Sequence, residues 1–340
     1  MKIVKAKPIR NQFEDGNAAY ERRDHKTAMR LLKPFAEQGD SSAQAKVGSM
    51  YVSSFDIKSN SASALKWLGL SAAQGCAEGQ YELGYMYYRG TKSTPQNFVE
   101  AVKWFRLAAD QGDEGSQDRL GDIYLYGKEG VPKDYVEAAK WYRLVAEKGD
   151  PLSQNQLACM YREGQGVPQD YIEAAKWERM AAEQGEPYAQ SNLGHMYREG
   201  KGVPQDSAEA IKWYLLAAEA RDGLSAQHAL AEMYSLGEGV TQDYVEAARW
   251  YRVSAEAGSA ASQNNLGLMY AKGEGVLQDF VQAHVWYNLA SIGFKAFEAE
   301  SRDTAVGNRD NLAKKMTRGQ IARAQDIAKK WSAKRKTMAT

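Results

Sequence analysis

Residues 188–219 read Tyr188-Ala-Gln-Ser-Asn-Leu-Gly-His-Met-Tyr197-Arg-Glu-Gly200-Lys-Gly202-Val-Pro204-Gln-Asp206-Ser-Ala-Glu209-Ala210-Ile-Lys-Trp213-Tyr-Leu-Leu-Ala-Ala-Glu219. Counted from Tyr197 as zero, Ala189, Gln190, Leu193, Gly194, Met196 and Tyr197 stand at −8, −7, −4, −3, −1 and 0. These offsets lie on one face of an α-helix, called helix A here. The glycine at −3 leaves room for a second helix to come close. Gly200 and Gly202 end helix A, and Pro204 cannot continue it. Asp206 with Glu209 three residues on has the form of a capping box, with Asp in the place of Ser or Thr. A second helix, B, then runs through Ala210 and Trp213. The segment predicts a helical hairpin that cannot bury its apolar faces alone.

The hairpin recurs along the chain. Trp67, Trp104, Trp141, Trp177, Trp213, Trp250 and Trp286 are 36 or 37 residues apart. Tyr51, Tyr87, Tyr124, Tyr161, Tyr197, Tyr234 and Tyr270 keep step with them, as does a glutamine at −7, from Gln44 to Gln263. An alanine stands three residues before every one of these tryptophans, where helix A is expected to press closest. A period of this length overrides the usual reading of 340 residues as two or three domains, because a solenoid grows by adding units. The chain divides into a basic segment at 1–12, a capping helix pair at 13–40, seven repeats over 41–294, and capping helices with a basic tail at 295–340. Thr317 and Gln320 offer a further capping box near the end.

The net charge of +1 is unevenly spread. Lys2, Lys5, Lys7 and Arg10 open the chain, and ten bases against two acids close it from Arg309 onward. The ends carry +12 together and leave −11 on the array, which argues against nucleic acid along the array itself. No apolar run is long enough to span a bilayer. No apolar stretch follows the first basic residues, so the sequence as it stands reads as cytoplasmic, or as periplasmic or secreted if a leader belongs to the native gene. Cys76 and Cys159 are more than two periods apart and read as free thiols. A monomer is expected.

The string small-Gln-x-x-Leu-Gly-x-Met-Tyr, then Gly-x-Gly-Val-x-x-Asp, then Glu-Ala-x-x-Trp-x-x-x-Ala resembles the Sel-1-like repeat, a relative of the tetratricopeptide repeat. The resemblance covers roughly residues 13–293, and residues 316–325 resemble the C-terminal cap of many bacterial members. It implies an all-α, right-handed α/α superhelical solenoid that works as a scaffold or adaptor. Cysteine-rich members carry a disulfide in each repeat and have been linked to β-lactam hydrolysis. This chain has no such cysteine pairs, so that activity does not carry over with the fold.

Catalytic signatures are missing: there is no His-Glu-x-x-His, no Gly-x-Ser-x-Gly and no Walker-type loop. The Gly-x-Gly turns join two helices and repeat, which marks them as turn chemistry. The Asp/Glu pairs recur at helix starts and read as caps rather than acid–base dyads. His25, His195, His228 and His284 are scattered over different repeats, and no metal or cofactor is expected. The functional signal lies where the repeats differ. On helix A the positions −9, −6, −2, +1 and +2 drift and form a second stripe. Its candidates run Tyr81, Tyr85 and Tyr88, then Asp118 and Asp122, then Asn155 and Arg162. They continue with Ser191, His195 and Arg198, then His228 and Glu232, then Asn264. By the resemblance this stripe lines a concave groove that binds a protein or peptide. The order aromatic, acidic, basic suggests a ligand with an apolar, then a basic, then an acidic residue. A hydrolase of the β-lactam type is the alternative, as is a binder of nucleic acid or anionic membrane through the basic C-terminus.

Overall fold

The computed structural model describes residues 9–53, 60–91, 94–220, 223–295 and 298–338. Lys2, Lys5 and Lys7 lie outside them, as do the side chains of Arg10, Arg335 and Lys336. Among the described residues there are eighteen helices and no strand. They fall into two compact units, 1–169 and 170–340. The first holds α1 (Ile9–Glu21), α2 (His25–Glu37), α3 (Ser41–Ser53), α4 (Ser61–Ala73), α5 (Ala77–Arg89), α6 (Phe98–Ala109), α7 (Glu114–Tyr126), α8 (Tyr135–Ala146) and α9 (Pro151–Glu163). The second holds α10 (Tyr171–Glu183), α11 (Pro187–Glu199), α12 (Ser207–Ala218), α13 (Leu224–Leu236), α14 (Tyr244–Ala257), α15 (Ala260–Lys272), α16 (Phe280–Gly293), α17 (Ala299–Ala313) and α18 (Arg318–Met338). Odd-numbered helices up to α15 are A helices and even-numbered ones up to α16 are B helices. Within each unit every helix up to α17 packs on the one before it in sequence, and α18 folds back on α16.

The small residue at −3 works as expected, but its counterpart is mainly the residue after each tryptophan. A Cβ added to Gly194 would stand 2.7 Å from the Tyr214 ring, and one on Gly121 would stand 2.8 Å from Tyr142. Phe105, Tyr142 and Tyr214 are the bulkiest side chains to be fully buried. The alanines three before each tryptophan are fully buried too, from Ala64 to Ala283. Trp141, Trp213 and Trp286 are buried, while Trp67, Trp104, Trp177 and Trp250 remain half-buried. The indole N–H groups of Trp141, Trp213, Trp250 and Trp286 have no acceptor among the described residues, so these rings act as apolar bulk.

The recurring tyrosine is a clasp as well as core. An arginine two residues after the tryptophan donates to the hydroxyl of the next repeat's tyrosine: Arg106 to Tyr124 at 2.9 Å, Arg143 to Tyr161 at 2.5 Å, Arg252 to Tyr270 at 2.8 Å, and Arg179 to Tyr197 likewise. The glutamine at −7 is a rung. Its Nε2 donates to the last-turn carbonyl of the preceding B helix, as in Gln117 to Ala109 O at 3.0 Å. Its Oε1 receives the next repeat's donor, Gln74 on Gln44 at 2.8 Å and Gln111 on Gln80 at 2.7 Å.

The turns carry one departure from expectation. The Asp side chain caps helix B, with Asp206 accepting from Ala208 N at 2.9 Å and Glu209 N at 3.0 Å. The reciprocal arm of the box is not used there. The backbone N–H of Asp206 donates to Tyr197 O at 2.9 Å, closing the hairpin, and Glu209 turns to Lys212 at 3.2 Å. The same substitution of partners holds at Asp134, Asp243 and Asp279 for the backbone bond. A full reciprocal box forms between Thr317 and Gln320, at 2.8 and 3.2 Å. The glutamine before the Asp caps helix A, as Gln205 Nε2 does to Arg198 O at 2.9 Å.

Candidate functional site

Side chains of the drifting stripe come together because successive A helices approach one another. Helices α3 and α5 are in contact, as are α11 and α13.

In the first unit, side-chain bonds step from one A helix to the next. Lys46 donates to Asn17 at 2.9 Å, Tyr20 to Ser49 at 3.2 Å, and Ser49 to Glu82 at 3.3 Å. On α5 the rings of Tyr81, Tyr85 and Tyr88 form a parallel ladder. Their centroids are 6.1 and 6.3 Å apart, and each step is tilted by only 13°. Phe105 and Phe98 support the ladder at tilted or edge-on angles. On α7, Asp122 accepts from the Tyr142 hydroxyl at 2.8 Å and meets Arg119 at 3.5 Å. Asp118 is half-buried beside it; burial and the like charge of Asp122 hold its carboxyl above the usual range. Glu78 and Glu82 are raised as well, chiefly by burial. Asn155 and Arg162 sit half-buried on α9, where Arg162 reaches Cys159 Sγ at 3.3 Å and Glu163 at 3.9 Å.

The second unit is arranged differently. Arg198 lies between two carboxylates, bidentate to Glu238 at 2.8–3.1 Å and bonded to Glu232 at 3.1 Å. Glu232 also faces His228 Nε2 at 3.4 Å. The His228 contact, ahead of Arg198, lowers the Glu232 carboxyl to about 2. His228 Nδ1 meets Ser262 at 2.9 Å, and Ser262 donates to Ser254 at 2.8 Å. His195 bonds Tyr214 through Nδ1 at 2.8 Å and Ser225 through Nε2 at 3.3 Å. Ser191 is buried, and Asn264 accepts from Asn308 of α17 at 3.1 Å. This half of the stripe is already neutralised: Arg198 is held by two carboxylates rather than offered to an acidic ligand.

The order Ser262–His228–Glu232 has the connectivity of a hydrolase triad, but Ser262 is 0% exposed, and no substrate can reach its hydroxyl. The two neighbouring histidines serve separate partners. Among the described residues no group of three or more His, Cys, Asp or Glu is placed to hold a metal ion. No helix among them is long and apolar enough to cross a membrane. Cys76 and Cys159 are not joined in a disulfide.

Sequence reasoning missed the hydroxyls that helix B sends into the stripe. Tyr142, Tyr214 and Tyr251 all follow a tryptophan and reach stripe residues, Tyr251 meeting Ser235 and Asn265. In α10 the same position holds Glu178, which is 0% exposed and accepts from Asn192 at 2.9 Å. Position −5 was also passed over. It reads Lys46, Glu82, Arg119, Gln156, Asn192, Ala229 and Asn265, at least as polar as the neighbouring position −6. That polarity was the available signal.

The Sel1 repeat family model matches eight consecutive stretches: 13–40, 41–76, 77–113, 115–150, 151–186, 187–222, 224–259 and 260–292. Among solved structures, the chain is similar to a Sel1 repeat protein from Oxalobacter formigenes, with 33% identity, 86% of each chain covered and a TM-score of 0.66. It is also similar to a protective antigen of uropathogenic Escherichia coli with an SLR fold. That match has 27% identity, covers 95% of this chain and 91% of the other, and has a TM-score of 0.55. No curated protein matches the chain. With eight matched repeats in register on a stack of helical hairpins, the chain belongs to the Sel1 repeat family.

Proposed function

We propose that this protein is a non-catalytic scaffold that binds a protein or peptide partner along the stripe of its A helices. Sel1 repeat proteins are typically protein-interaction scaffolds, which supports the class. The observation that carries the choice of surface is the contrast between the two helix faces. Positions −8, −7, −4, −3, −1 and 0 are used up by packing, rungs and clasps, while the drifting positions share another face of each A helix, and neighbouring A helices touch at α3/α5 and α11/α13. A segment lying along them meets a different side chain at each repeat, and that is how an array of near-identical units acquires specificity. Half-buried tyrosines suit such a surface, since Tyr is enriched among binding hot spots.

The test places a photo-crosslinking residue at Asp118, on the A stripe, and separately at Val136, which is 65% exposed at the start of a B helix. Each full-length variant is irradiated in lysate of cells that express the chain. Protein adducts are expected from position 118 and not from 136. Adducts from 136 alone reject the A-stripe reading.

A further inference from the structure

Resting on that reading of the A stripe, we infer that the α5–α7 part of the N-terminal unit receives a basic segment of a separate partner protein. One of its arginine side chains lies on the three-tyrosine ladder of α5.

The ladder is a platform rather than a loose aromatic patch. Tyr85 lies between Tyr81 and Tyr88 with its ring near-parallel to both at centroid distances of 6.1 and 6.3 Å, and fully buried Phe105 supports the two outer rings. Parallel faces that stay half-buried attract cations through their ring quadrupoles. The platform already shows that preference: the Arg89 guanidinium stands 5.9 Å from the Tyr85 centroid. From Tyr81 to Tyr88 it runs about 10 Å along the helix, the reach of an extended tripeptide.

Charge then selects the partner. Glu78 and Glu82 flank the ladder on α5, and Asp118 and Asp122 stand on α7. The bases beside them are Lys46, which donates to Asn17 and attracts Glu78, and Arg119, which is attracted by Asp118 as well as by Tyr81 and Asp122. Neither Glu78 nor Asp118 makes an ion pair among the described residues, and both carboxyls are raised by burial. The C-terminal unit shows the same kind of surface with its cation built in. At the position corresponding to Tyr88 it has Arg198, which holds Glu232 and Glu238. At Tyr88 the N-terminal unit lacks that arginine, and its next repeat has Asp122 and Lys128 where Arg198 finds Glu232 and Glu238. Glu78, Glu82, Asp113, Asp118 and Asp122 outnumber Lys46 and Arg119 here, so a partner's arginine supplies the missing cation. Guanidinium fits better than ammonium, because it stacks on an aromatic face and bonds carboxylates through a planar fork.

The experiment measures fluorescence anisotropy of the full chain with a labelled Arg-Ser repeat peptide, and with Lys-Ser, Gln-Ser and Glu-Ser peptides of equal length. The Arg-Ser peptide should bind tightest. Glu78→Gln with Asp118→Asn should weaken it about tenfold, as expected for losing charge-assisted hydrogen bonds. Tyr85→Leu should weaken it about two- to fivefold through loss of the cation–π contact. Burial of the two charged carboxyls outweighs the attraction of Lys46 and Arg119, so the amide variant should melt no lower than the natural protein, which separates lost binding from lost folding. The inference is overturned if the Gln-Ser or Glu-Ser peptide binds as well, if both variants keep full affinity for Arg-Ser, or if nothing binds. Each of those results leaves crosslinking from position 118 free to succeed, so the broader reading falls only on its own test. Self-association that Glu78→Gln with Asp118→Asn abolishes would assign the surface to a second copy's basic C-terminal helix and overturn the separate partner.

Discussion

Arg198 on α11 grips Glu238, forty residues away in the turn after α13, through Nε at 3.0 Å and Nη2 at 2.8 Å. The fork fastens one A helix to the turn of the next repeat, and Glu232 shares the same cation. Arg198→Met should cost about 1 kcal/mol of stability, and a double-mutant cycle with Glu238→Gln should return a coupling of similar size. The measurement is urea unfolding of the two single variants and the double. A coupling indistinguishable from zero would mean that the fork is only a surface pair.

The glutamine ladder makes a prediction in the stabilising direction. Oε1 of Gln227 and of Gln263 is buried without a partner among the described residues. In the repeats where the rung is complete, the donor is the residue seven after the tryptophan, Gln74 or Gln111. That position is Ala257 after Trp250. Ala257→Gln should therefore stabilise the protein by about 0.5–1.5 kcal/mol. Slower amide exchange in α13 and α14 is the expected sign, and faster exchange there would count against it.

Two glycines with similar backbone angles should respond very differently to alanine. Gly185 has φ +89 with nothing within 4 Å of an added Cβ, so Gly185→Ala meets only the left-handed backbone penalty, about 1 kcal/mol. Gly202 has φ +74, and its Cβ would stand 1.9 Å from the Tyr171 carbonyl oxygen. Gly202→Ala must displace the start of α10 and should cost several times as much, about 3 kcal/mol or more. Equal losses in thermal unfolding would show that the turn does not bear on the preceding B helix.

Acid should act on the two units in opposite directions. Glu78, Glu82 and Asp118 are raised above their ordinary values chiefly by burial. A raised carboxyl binds its proton more readily when folded, so its penalty fades as pH falls through the folded value. Glu232 is lowered to about 2, first by His228. Its contribution is present above the unfolded value of about 4.3 and is lost as pH falls toward 2. Hydrogen exchange, corrected for intrinsic rates, should show protection in α5 and α7 holding or rising on mild acidification. Protection in α11 and α13 should fall only below about pH 4. A parallel decline in both units would contradict the assignment.

What repeats in this chain was legible from its sequence, because a repeated position has the same neighbours every time. The −3 glycine, the buried alanines, the Asp caps and the glycine stops all follow from local periodicity and backbone chemistry, and residues 188–219 suffice to read them. The existence of a drifting stripe was legible for the same reason. Its state was not. Whether Arg198 is free or held depends on Glu238, in the turn of the next repeat, and whether Asp122 is satisfied depends on a hydroxyl from α8. The partner of the Asp206 N–H is likewise set by where Tyr197 O comes to rest. Spacing along the chain says which residues share a face. Hydrogen bonds and ion pairs act over about 3–4 Å, so only the packing of one helix on the next decides which of those residues are already partnered and which remain open to another molecule.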